Sequence, residues 1–525
     1  MLLSIINRTM ILAIYFISAT GTSSTGTSES APMSLSTAMK KSYANNDSIL
    51  FKRGDVFYGT ALNFGSNLYI GSYGTGAKPI ISGAKIIRKT NSNNLENWLP
   101  DGSENYTNAW QQGSISGETW SANSSGNIWR IDLSVSGNFS GITNTTANSG
   151  YRDIGFIEDI STGEKYHTRR LNLTRLASST IGQNLDFYCE SAGKENGTYL
   201  YLRSNENPNK KKLILTTNRH LLYVSSNSVI ENLHLRYTGA HGILTMFDQS
   251  YSNIIIRNCI IEDIGGSVQF TESDYNDEMD IMRYGNGIEI ALWGKGNATH
   301  TISNVTIEYN IFRNIYDTAF TIQGDYGNYL DFKSNNNIYV ANIYAIELWV
   351  NNVIPSKIEF LHHNNLHVNQ GRGWGYDARP DKGDYENPSQ SVYWGQQSDV
   401  CANREIGILE FDFQHNTYFN PARLYWISEK NLKKPAWTFA NNDVYLQSGT
   451  YLRQMYDLGK KFTGSNFYSY FNSLGIEKNT SITTITQSEL ETIYSSRISI
   501  AMTSNDYDEI WNAFFPSTTS VISTE

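Results

Sequence analysis

Short apolar runs recur along the stretch from Val229 to Val350, each followed by an Asn-containing turn and further strands. The first strand of the repeated unit reads VIEN (229–232), IIIRN (254–258), VTIEYN (305–310) and IYVAN (338–342). The third strand reads GILT (242–245), GIEI (287–290), AFTI (319–322) and AIEL (345–348). β-Branched runs that repeat without a helical period predict a β-solenoid, in which each coil buries the apolar face of its neighbours.

An asparagine follows most of the first strands at a constant offset. These residues are Asn232, Asn310, Asn342, Asn364, Asn416 and Asn442, with Asn258 or Cys259 at the same place in the second coil. A short amide at a tight corner can bond turn backbone, adopt a left-handed conformation and bond the same amide one coil away. We therefore expect an asparagine ladder along one corner of the solenoid.

The coils and the segments GDVFYG (54–59) and SYGTGAKPIISG (72–83) resemble the N-terminal coils of secreted polysaccharide-active proteins. The chain as a whole resembles the right-handed parallel β-helix superfamily, the pectate-lyase-like fold. The resemblance implies an all-β, single-stranded right-handed parallel β-helix. Helical spacing behind Ser34 and after Asn442 adds an N-terminal capping helix and a C-terminal helical cap to this prediction.

Four stretches follow from this pattern. Residues 1–14 are apolar with one Arg, which suggests a signal or leader remnant too short to span a bilayer. Residues 15–210 hold the N-terminal cap, the first coils and a β-rich insertion. Residues 211–450 hold the regular coils, interrupted by loops at 265–286 and 371–404, and residues 451–525 hold the C-terminal helical cap.

The composition narrows the partners. Charged residues make up 17% of the 525 residues and the net charge is −9, so no basic stripe exists for a nucleic acid. The 34 Tyr, 11 Trp and 22 Phe suit stacking on sugar rings. Cys189, Cys259 and Cys401 form neither a disulfide framework nor a metal cluster. The resemblance implies a secreted monomer that acts on a polysaccharide or oligosaccharide, without a membrane or a cofactor.

The first loop carries an acidic run that is a candidate calcium site. It comprises Glu272, Asp274, Asp277, Glu278 and Asp280. The run lacks the spacing and the glycine of an EF-hand, and a solvated acidic loop is the simpler interpretation.

The candidate catalytic residues lie on the third strand of the unit. Alternation sends Leu244, Glu289, Thr321 and Glu347 outward in one column, with Met246, Ala291, Gln323 and Trp349 in the next. Glu289 and Glu347 are two coils apart, roughly 9–10 Å between Cβ atoms. Carboxylates separated by roughly 6.5–9.5 Å suit inverting hydrolysis of a glycoside. Asp317 is a third candidate carboxylate or a corner cap.

Further residues of the same surface are candidates for substrate binding. They are Arg283, Tyr284, His241, Trp293, Gln323, Asp325, Trp349 and Trp374. Each has a structural alternative: His241 could pair with Asp263 at a corner, Arg283 and Tyr284 could hold down the loop, and the tryptophans could be covered by loops. An outward glutamate is most often a solvated surface group.

Three functions remain open. The first is a glycoside hydrolase that draws a general acid and a general base from Glu289, Glu347 and Asp317, on a neutral glycan. The second is a polysaccharide lyase or epimerase, in which Arg283 neutralises a uronate and Tyr284 or His241 abstracts the C5 proton. The third is a non-catalytic glycan-binding or adhesion β-helix. The chain lacks the paired Asp and His of polygalacturonases and the Lys/Arg-rich strand face of calcium-dependent pectate lyases, so pectin specificity is doubtful.

Overall fold

A computed structural model describes most of the chain. The described residues are 13–86, 110–132, 154–167, 176–177, 187–189, 199–246, 249–271, 281–292, 300–324, 327–350, 357–375, 393–396, 409–427, 437–447, 453–454, 461–462 and 464–516, apart from residues 118, 161, 212, 217, 423, 474 and 476.

Three long sheets run side by side along the chain, and successive strands visit them in a fixed cycle. The strands of sheet 1 are Ile14–Ile17, Ser48–Lys52, Tyr69–Tyr73, Ser228–Glu231, Tyr251–Arg257, Thr301–Glu308, Asn328–Asn335, Ile358–His363, Leu409–Gln414, Trp437–Ala440 and Glu477–Lys478. Those of sheet 2 are Val56–Tyr58, Ile80–Ser82, His234–Thr238, Ile260–Ile264, Ile311–Ile315, Ile338–Val340, Leu366–Val368, Thr417–Phe419, Asp443–Gln447 and Ser481–Ile485. Those of sheet 3 are Leu222–Val224, Ile243–Thr245, Ile288–Leu292, Thr318–Gly324, Tyr344–Val350, Tyr393–Gln396, Tyr425–Ile427, Arg453–Gln454 and Lys461–Phe462.

A complete coil contributes one strand to each sheet, and its strands pair in parallel with the equivalent strands of the next coil. The coils of Ile14–Ile17, Ser48–Lys52 and Glu477–Lys478 have no described strand in sheet 3. The last described pair of sheet 3, Arg453–Gln454 with Lys461–Phe462, is antiparallel. This arrangement is that of a parallel β-solenoid, as the repeat predicts. The coils reach further than the regular pattern indicates, because Glu477–Lys478 and Ser481–Ile485 still pair in parallel with sheets 1 and 2.

The alternation of apolar and polar residues explains the strands of sheet 1. In Thr301–Glu308, the side chains of Ile302, Val305 and Ile307 are fully buried in the core. Ile302 and Val305 are three residues apart, which a strict period of two does not allow. Asn304 lies between them with φ +54° and supplies the extra residue that restores the inward face.

The asparagine ladder exists, although its members differ in part from the prediction. Each corner of this kind has a residue with positive φ followed by a buried residue whose side chain bonds a neighbouring coil. The buried ladder runs through Cys259, Asn310, Asn337, Asn365, Asn416, Asn442 and Thr480. Asn310, Asn416 and Asn442 are therefore predicted correctly. Asn232 and Asn364 are instead the residues with positive φ one position earlier, and Asn342 forms the next corner, where its Oδ1 accepts from the backbone N–H of Ile315.

A β-rich insertion leaves the solenoid between two strands of one coil, Ile80–Ser82 and Leu222–Val224. Its strands form two antiparallel sheets, one of Ala84–Ile86, Phe156–Asp159, Glu164–His167 and Leu213–Thr216, the other of Gln111–Ser116, Thr119–Ala122, Ile128–Asp132, Phe187–Cys189 and Tyr199–Arg203. A short 3-10 helix, Pro208–Lys210, precedes the return to the coils. The insertion touches the solenoid through Glu158, which accepts from the Tyr237 hydroxyl at 3.2 Å.

The helices of the described residues are few: α1 (Leu35–Ala38), α2 (Gly464–Ser473), α3 (Gln487–Thr492), α4 (Ser495–Thr503) and α5 (Tyr507–Phe514). Ser34 caps α1 by accepting from the backbone N–H of Thr37, and Ala38 lies in the core. None of these helices is both long and apolar enough to cross a membrane.

The C-terminal helices α4 and α5 lie beside the solenoid. Ala501 of α4 and Ile510 of α5 pack against the outward side chains of sheet 2, including Ile260, Ile311 and Leu366. Arg313 of sheet 2 donates to the carbonyl oxygen of Ser504 at 2.7 Å and binds the buried Glu262. The apolar side chains on the outer face of sheet 2 must be shielded from water, so these two helices lie along the stack. The sequence predicts a helical cap across the last coil instead.

Two predicted loops also acquire structure. The first, 265–286, begins and ends as an antiparallel hairpin of Ser267–Thr271 with Ile281–Tyr284. The second, 371–404, includes the strand Tyr393–Gln396, which pairs in parallel with Tyr344–Val350 and belongs to sheet 3. The sequence YWGQ is too short and too polar to predict a strand by itself. Pairing with Tyr344–Val350 of the neighbouring coil sets its position and register.

The buried amide ladder generates a stability prediction. Asn365 is 1% exposed, donates to the carbonyl of Ser334 at 2.9 Å and accepts from the backbone N–H of Asn337 at 2.8 Å. Asn365→Ala should lower the free energy of unfolding by about 1–3 kcal/mol, because it leaves buried backbone groups unpaired.

The adjacent Asn364 provides the matched control for denaturant unfolding. It is exposed with φ +56°, so Asn364→Gly removes an amide but keeps an accessible backbone conformation. We expect this variant to stay close to the wild type. Equal stability of Asn365→Ala and Asn364→Gly would contradict a stabilising ladder.

Candidate active site

The outer face of sheet 3 differs from the other two outer faces. Sheet 2 is covered by α4 and α5, and sheet 1 presents partly exposed charged side chains such as Glu231, Arg257 and Glu308. Arg257 donates to Glu231 at 3.0 Å, as solvated surface charges commonly do. Sheet 2 also has buried carboxylates, but Glu262 binds Arg313 and Asp263 binds Arg236. Sheet 3 places the predicted carboxylates among buried residues, which makes it the face to examine for chemistry.

The strand register aligns the candidate carboxylates as the alternation predicts. Leu244, Glu289, Thr321 and Glu347 pair in sequence across four coils. We call this row the face ladder. Ile243, Ile288, Phe320 and Ile346, each one residue earlier, lie in the core. The two glutamates are therefore two coils apart on one surface, about 9–10 Å between equivalent atoms.

The surroundings of these carboxylates are less exposed than an outward position suggests. Glu289 is 4% exposed, Glu347 is 5% exposed and Thr321 between them is fully buried. Burying a carboxylate is unfavourable unless donors surround it. The simpler interpretation of both residues as solvated surface groups is therefore wrong.

A second row of side chains lies at the corner three residues before the face ladder. Backbone hydrogen bonds from Leu221 to His241, from Gly242 to Asn286 and from Gly287 to Thr318 connect its coils. The row comprises His220, His241, Asn286, Thr318 and Tyr344, and we call it the corner ladder. A corner residue is close to the face residue of its own coil and to that of the next coil.

Glu289 receives two donors from the corner ladder. His241 Nε2 lies 3.1 Å from Glu289 Oε2, and Asn286 Nδ2 donates to the same oxygen at 2.9 Å. The backbone N–H of Asn286 donates to His241 Nδ1 at 3.0 Å. Since Nδ1 accepts, the proton of the neutral imidazole is on Nε2 and points at the carboxylate.

Burial keeps His241 neutral. It lowers the pKa of His241 from 6.5 to about 3. His220 stacks on His241 with ring centroids 4.9 Å apart, and burial together with His241 and Arg219 lowers the pKa of His220 well below its ordinary value. The pair therefore adds a hydrogen-bond donor at Glu289 without adding a positive charge.

Thr318 and Gln323 of the preceding coil hold Glu347. The Thr318 hydroxyl donates to Glu347 Oε2 at 2.9 Å, and Gln323 Nε2 donates to the same oxygen at 3.2 Å. Asn286 Oδ1 accepts from the backbone N–H of Thr318 at 3.1 Å. Because that N–H can only donate, it fixes the Asn286 amide orientation and so connects the surroundings of both glutamates.

The remaining predicted residues are placed as follows. Asp317 is buried at the corner next to Thr318, and its carbonyl accepts from the backbone N–H of Tyr344. His241 binds Glu289, not Asp263, which binds Arg236 at 2.8 Å. Gln323 contacts Glu347. The side chains of Arg283, Tyr284 and Trp349, and all of Trp293 and Asp325, lie outside the described residues.

Trp374 was expected to be a sugar platform and has structural contacts. Its ring lies 5.2 Å from Phe156 of the insertion and 5.0 Å from Tyr316, and its Nε1 donates to the carbonyl of Asn314 at 2.8 Å. These contacts join the insertion to the coils. Trp374 therefore packs against other residues, which is the structural alternative to substrate binding that the sequence also allows.

Sequence reasoning did not identify Asn286, Thr318, Thr321 or His220 as site residues. Asn286 and Thr318 precede Glu289 and Thr321 by three residues, and His241 precedes Leu244 by the same number. That repeated spacing was available in the sequence. The direction of the corner side chains was not, because strand alternation breaks at a corner.

No group of three or more His, Cys, Asp or Glu within the described ranges could hold a metal ion. The acidic run from Glu272 to Asp280 lies outside those ranges, so the calcium site stays a prediction.

Comparisons with known proteins give little further information. No protein-family model matches the chain, and no significant match is found among curated proteins. Among solved structures, XylC in complex with xylose is 11% identical over 90% of this chain and 83% of that chain, with a TM-score of 0.40. A GH136 lacto-N-biosidase from Eubacterium ramulus is 12% identical over 90% and 68%, with a TM-score of 0.32. A structure described as a glycoside hydrolase is 9% identical over 90% and 96%, with a TM-score of 0.24. At such low values these similarities carry no argument about function.

The lowered pKa of His241 generates a pH prediction. The unfolded residue binds a proton below pH 6.5, whereas the folded one stays neutral down to about pH 3, so stability falls as the pH drops through this window. Between pH 6.5 and 5 the contribution of one such histidine is about 2 kcal/mol.

Denaturant unfolding of the wild type and His241→Gln at pH 7.5 and pH 5 checks this effect. The other titrating groups are common to both proteins, so the difference between the two pH dependences reports His241. We expect the wild type to lose more stability on acidification than the variant. Identical losses would show that His241 is not a buried neutral imidazole.

Proposed function

We propose that the chain is a glycoside hydrolase that uses Glu289 and Glu347 as its pair of catalytic carboxylates. The observation that carries the proposal is the placement of two buried glutamates two coils apart on one ladder, joined through Asn286 and Thr318. A structural role alone does not require two buried carboxylates on a face whose neighbours are Leu, Thr and Ala.

The hydrogen bonds distinguish the two roles. The imidazole Nε2–H of His241 and the amide of Asn286 contact Glu289 Oε2 and can only donate there, and this favours a carboxylate. Glu347 Oε2 is contacted by the Thr318 hydroxyl, which can donate or accept, and by the amide of Gln323, which can present either its nitrogen or its oxygen. These contacts tolerate either protonation state of Glu347. We therefore assign Glu289 as the general base and Glu347 as the general acid.

The reaction then balances as a single displacement. Glu289 takes a proton from a water molecule while the water oxygen forms a bond to the anomeric carbon. The bond between that carbon and the glycosidic oxygen breaks, and the oxygen takes the proton of Glu347. His241 and Asn286 hold Glu289 in place, and Gln323 and Thr318 hold Glu347.

The separation of the carboxylates supports inversion. Two coils correspond to about 9–10 Å, near the upper end of the roughly 6.5–9.5 Å that leaves room for a water. A covalent intermediate needs about 5–5.5 Å, which is close to one coil rather than two. Asp317 is not needed as a third carboxylate in this scheme.

The substrate is proposed to be a neutral glycan. The net charge of −9 and the two carboxylates of the site disfavour a polyuronate. The backbone register of the face ladder continues past Glu347 to Trp394 and Trp426. We also propose that the protein is secreted. We propose that its coils wind in the right-handed sense, because parallel crossovers are overwhelmingly right-handed.

The lyase alternative is less well supported by the same geometry. His241 was one of its candidate bases, but its Nδ1 accepts from the Asn286 backbone and its Nε2–H points at Glu289. A neutral imidazole with both nitrogens engaged has no free lone pair for a substrate proton. The adhesion alternative does not require the buried carboxylates.

Substitution of the two glutamates tests the proposal. Glu289→Gln and Glu347→Gln should each fold, and each should reduce turnover by about 100- to 10,000-fold, as loss of a proton-transfer group does. Digestion of a panel of neutral and uronate-containing glycans, followed by reducing ends and by unsaturated uronate absorbance, measures the activity.

The matched control is Glu410→Gln, at an exposed glutamate of sheet 1; this variant should keep wild-type turnover.

The stereochemistry of the product tests inversion. The anomer that forms first, observed by NMR, should have the anomeric configuration opposite to that of the substrate. Unsaturated products would transfer the assignment to a lyase, and glycan binding without cleavage would favour adhesion.

A further inference from the structure

Thr321 of sheet 3 carries a hydroxyl that makes no hydrogen bond within the part of the chain that the structure describes. It lies on the face ladder between Glu289 and Glu347 and is fully buried. Its Oγ1 has no hydrogen-bond partner among the described residues. A buried unpaired hydroxyl is unfavourable, and the strand would accept valine, which has the same shape and a higher β propensity.

The neighbouring threonines of sheet 3 show what a structural hydroxyl does here. Thr318 donates to Glu347, and Thr245 Oγ1 accepts from the backbone N–H of Ala291 at 3.0 Å. Both residues are as fully buried as Thr321. Thr321 therefore differs from them in its lack of a protein partner, not in its environment.

The spacing of the ladder matches a bridging water. Two groups that share a water at about 2.8 Å with tetrahedral geometry lie about 4.6 Å apart. Equivalent backbone atoms of neighbouring coils are about 4.8 Å apart, and the rotatable Glu289 side chain can place a carboxylate oxygen where one water bridges it to Thr321 Oγ1.

We propose that Thr321 is a positioning residue that holds the attacking water against Glu289, and this inference rests on the proposed function. The hydroxyl makes a hydrogen bond to the water and exchanges no proton in the net reaction. Glu289 receives the water's proton, and the water oxygen bonds the anomeric carbon. A threonine on the coil between the two carboxylates thereby selects water as the nucleophile and gives inversion.

Substitution at Thr321 separates this role from packing. Thr321→Val should lower kcat by about 100-fold, because the water is no longer oriented, with KM little changed. Thr321→Ser restores the hydroxyl and should recover most of the turnover. Thr321→Val should not lower the melting temperature, whereas Thr245→Val should, because it leaves the Ala291 N–H unpaired.

Leaving-group dependence supplies a readout that a structural role would not move. On dinitrophenyl glycosides the leaving group needs no proton, so Glu347→Gln should regain activity relative to its activity on nitrophenyl glycosides. Thr321→Val and Glu289→Gln should not, since both affect the nucleophile. A crystal structure of the wild type should contain an ordered water within hydrogen-bond distance of Thr321 Oγ1 and Glu289.

The outcomes are distinguishable. Wild-type turnover by Thr321→Val, a loss of turnover accompanied by a lower melting temperature, or a water bound between Thr321 and Glu347 instead would each overturn the inference while leaving the hydrolase intact. If the wild type hydrolyses no glycoside, the proposed function fails and this inference fails with it.

Discussion

The in-register stacking of the coils is the constraint on which the rest of the structure depends. Parallel pairing places equivalent residues of successive coils about 4.8 Å apart, whatever their distance in sequence. Strands of sheets 1 and 2 lie between successive strands of sheet 3 in the sequence. Glu289 and Glu347 nevertheless occupy one row of sheet 3. The backbone thus fixes the separation of the two Cβ atoms, and the side-chain conformations set the distance between the carboxyl groups. Rigid elements of this kind suit a site that requires a defined spacing.

The same constraint places polar groups inside the solenoid. His362 and His367 are fully buried with their Nε2 atoms 3.0 Å apart, and the Tyr339 ring stacks on His367. Burial lowers the pKa of both histidines well below the ordinary value, so the core holds them as neutral rings. A stack of coils can accommodate such residues because each ring meets a similar flat ring from the next coil. Their hydrogen bonds then offset part of the cost of burial.

The candidate site uses the corner in a way that the regular strands cannot. A strand alternates its side chains, so two neighbouring residues rarely meet on one surface. The corner breaks this alternation and brings His241, Asn286 and Thr318 against the face ladder. Glu289 consequently receives donors from its own coil and from the preceding one, and Glu347 receives donors from Thr318 and Gln323 of the preceding coil. These donors offset the cost of burying two carboxyl groups on the outer surface of a sheet.

The sequence by itself determined the solenoid, the inward and outward rows, and the alignment of Glu289 with Glu347. It could do so because apolar periodicity reports which face of a strand is buried, and because repeats of the unit report the register. It also determined that an amide ladder exists, since Asn310, Asn416 and Asn442 recur at one offset. The sequence did not determine which of two adjacent asparagines, such as Asn364 and Asn365, belongs to the ladder, because both residues of that corner are asparagine.

Only the tertiary structure decided the partners of the polar side chains. The pairing of His241 with Glu289 and the orientation of Asn286 depend on side-chain directions at a corner, which no periodicity encodes. That the Thr321 hydroxyl has no partner among the described residues likewise depends on its neighbours in the folded sheet. The placement of α4 and α5 along sheet 2 likewise depends on which outer face is apolar across many coils. The repeat reports which strands are neighbours, but the side-chain contacts between them arise from packing, which the pattern does not specify.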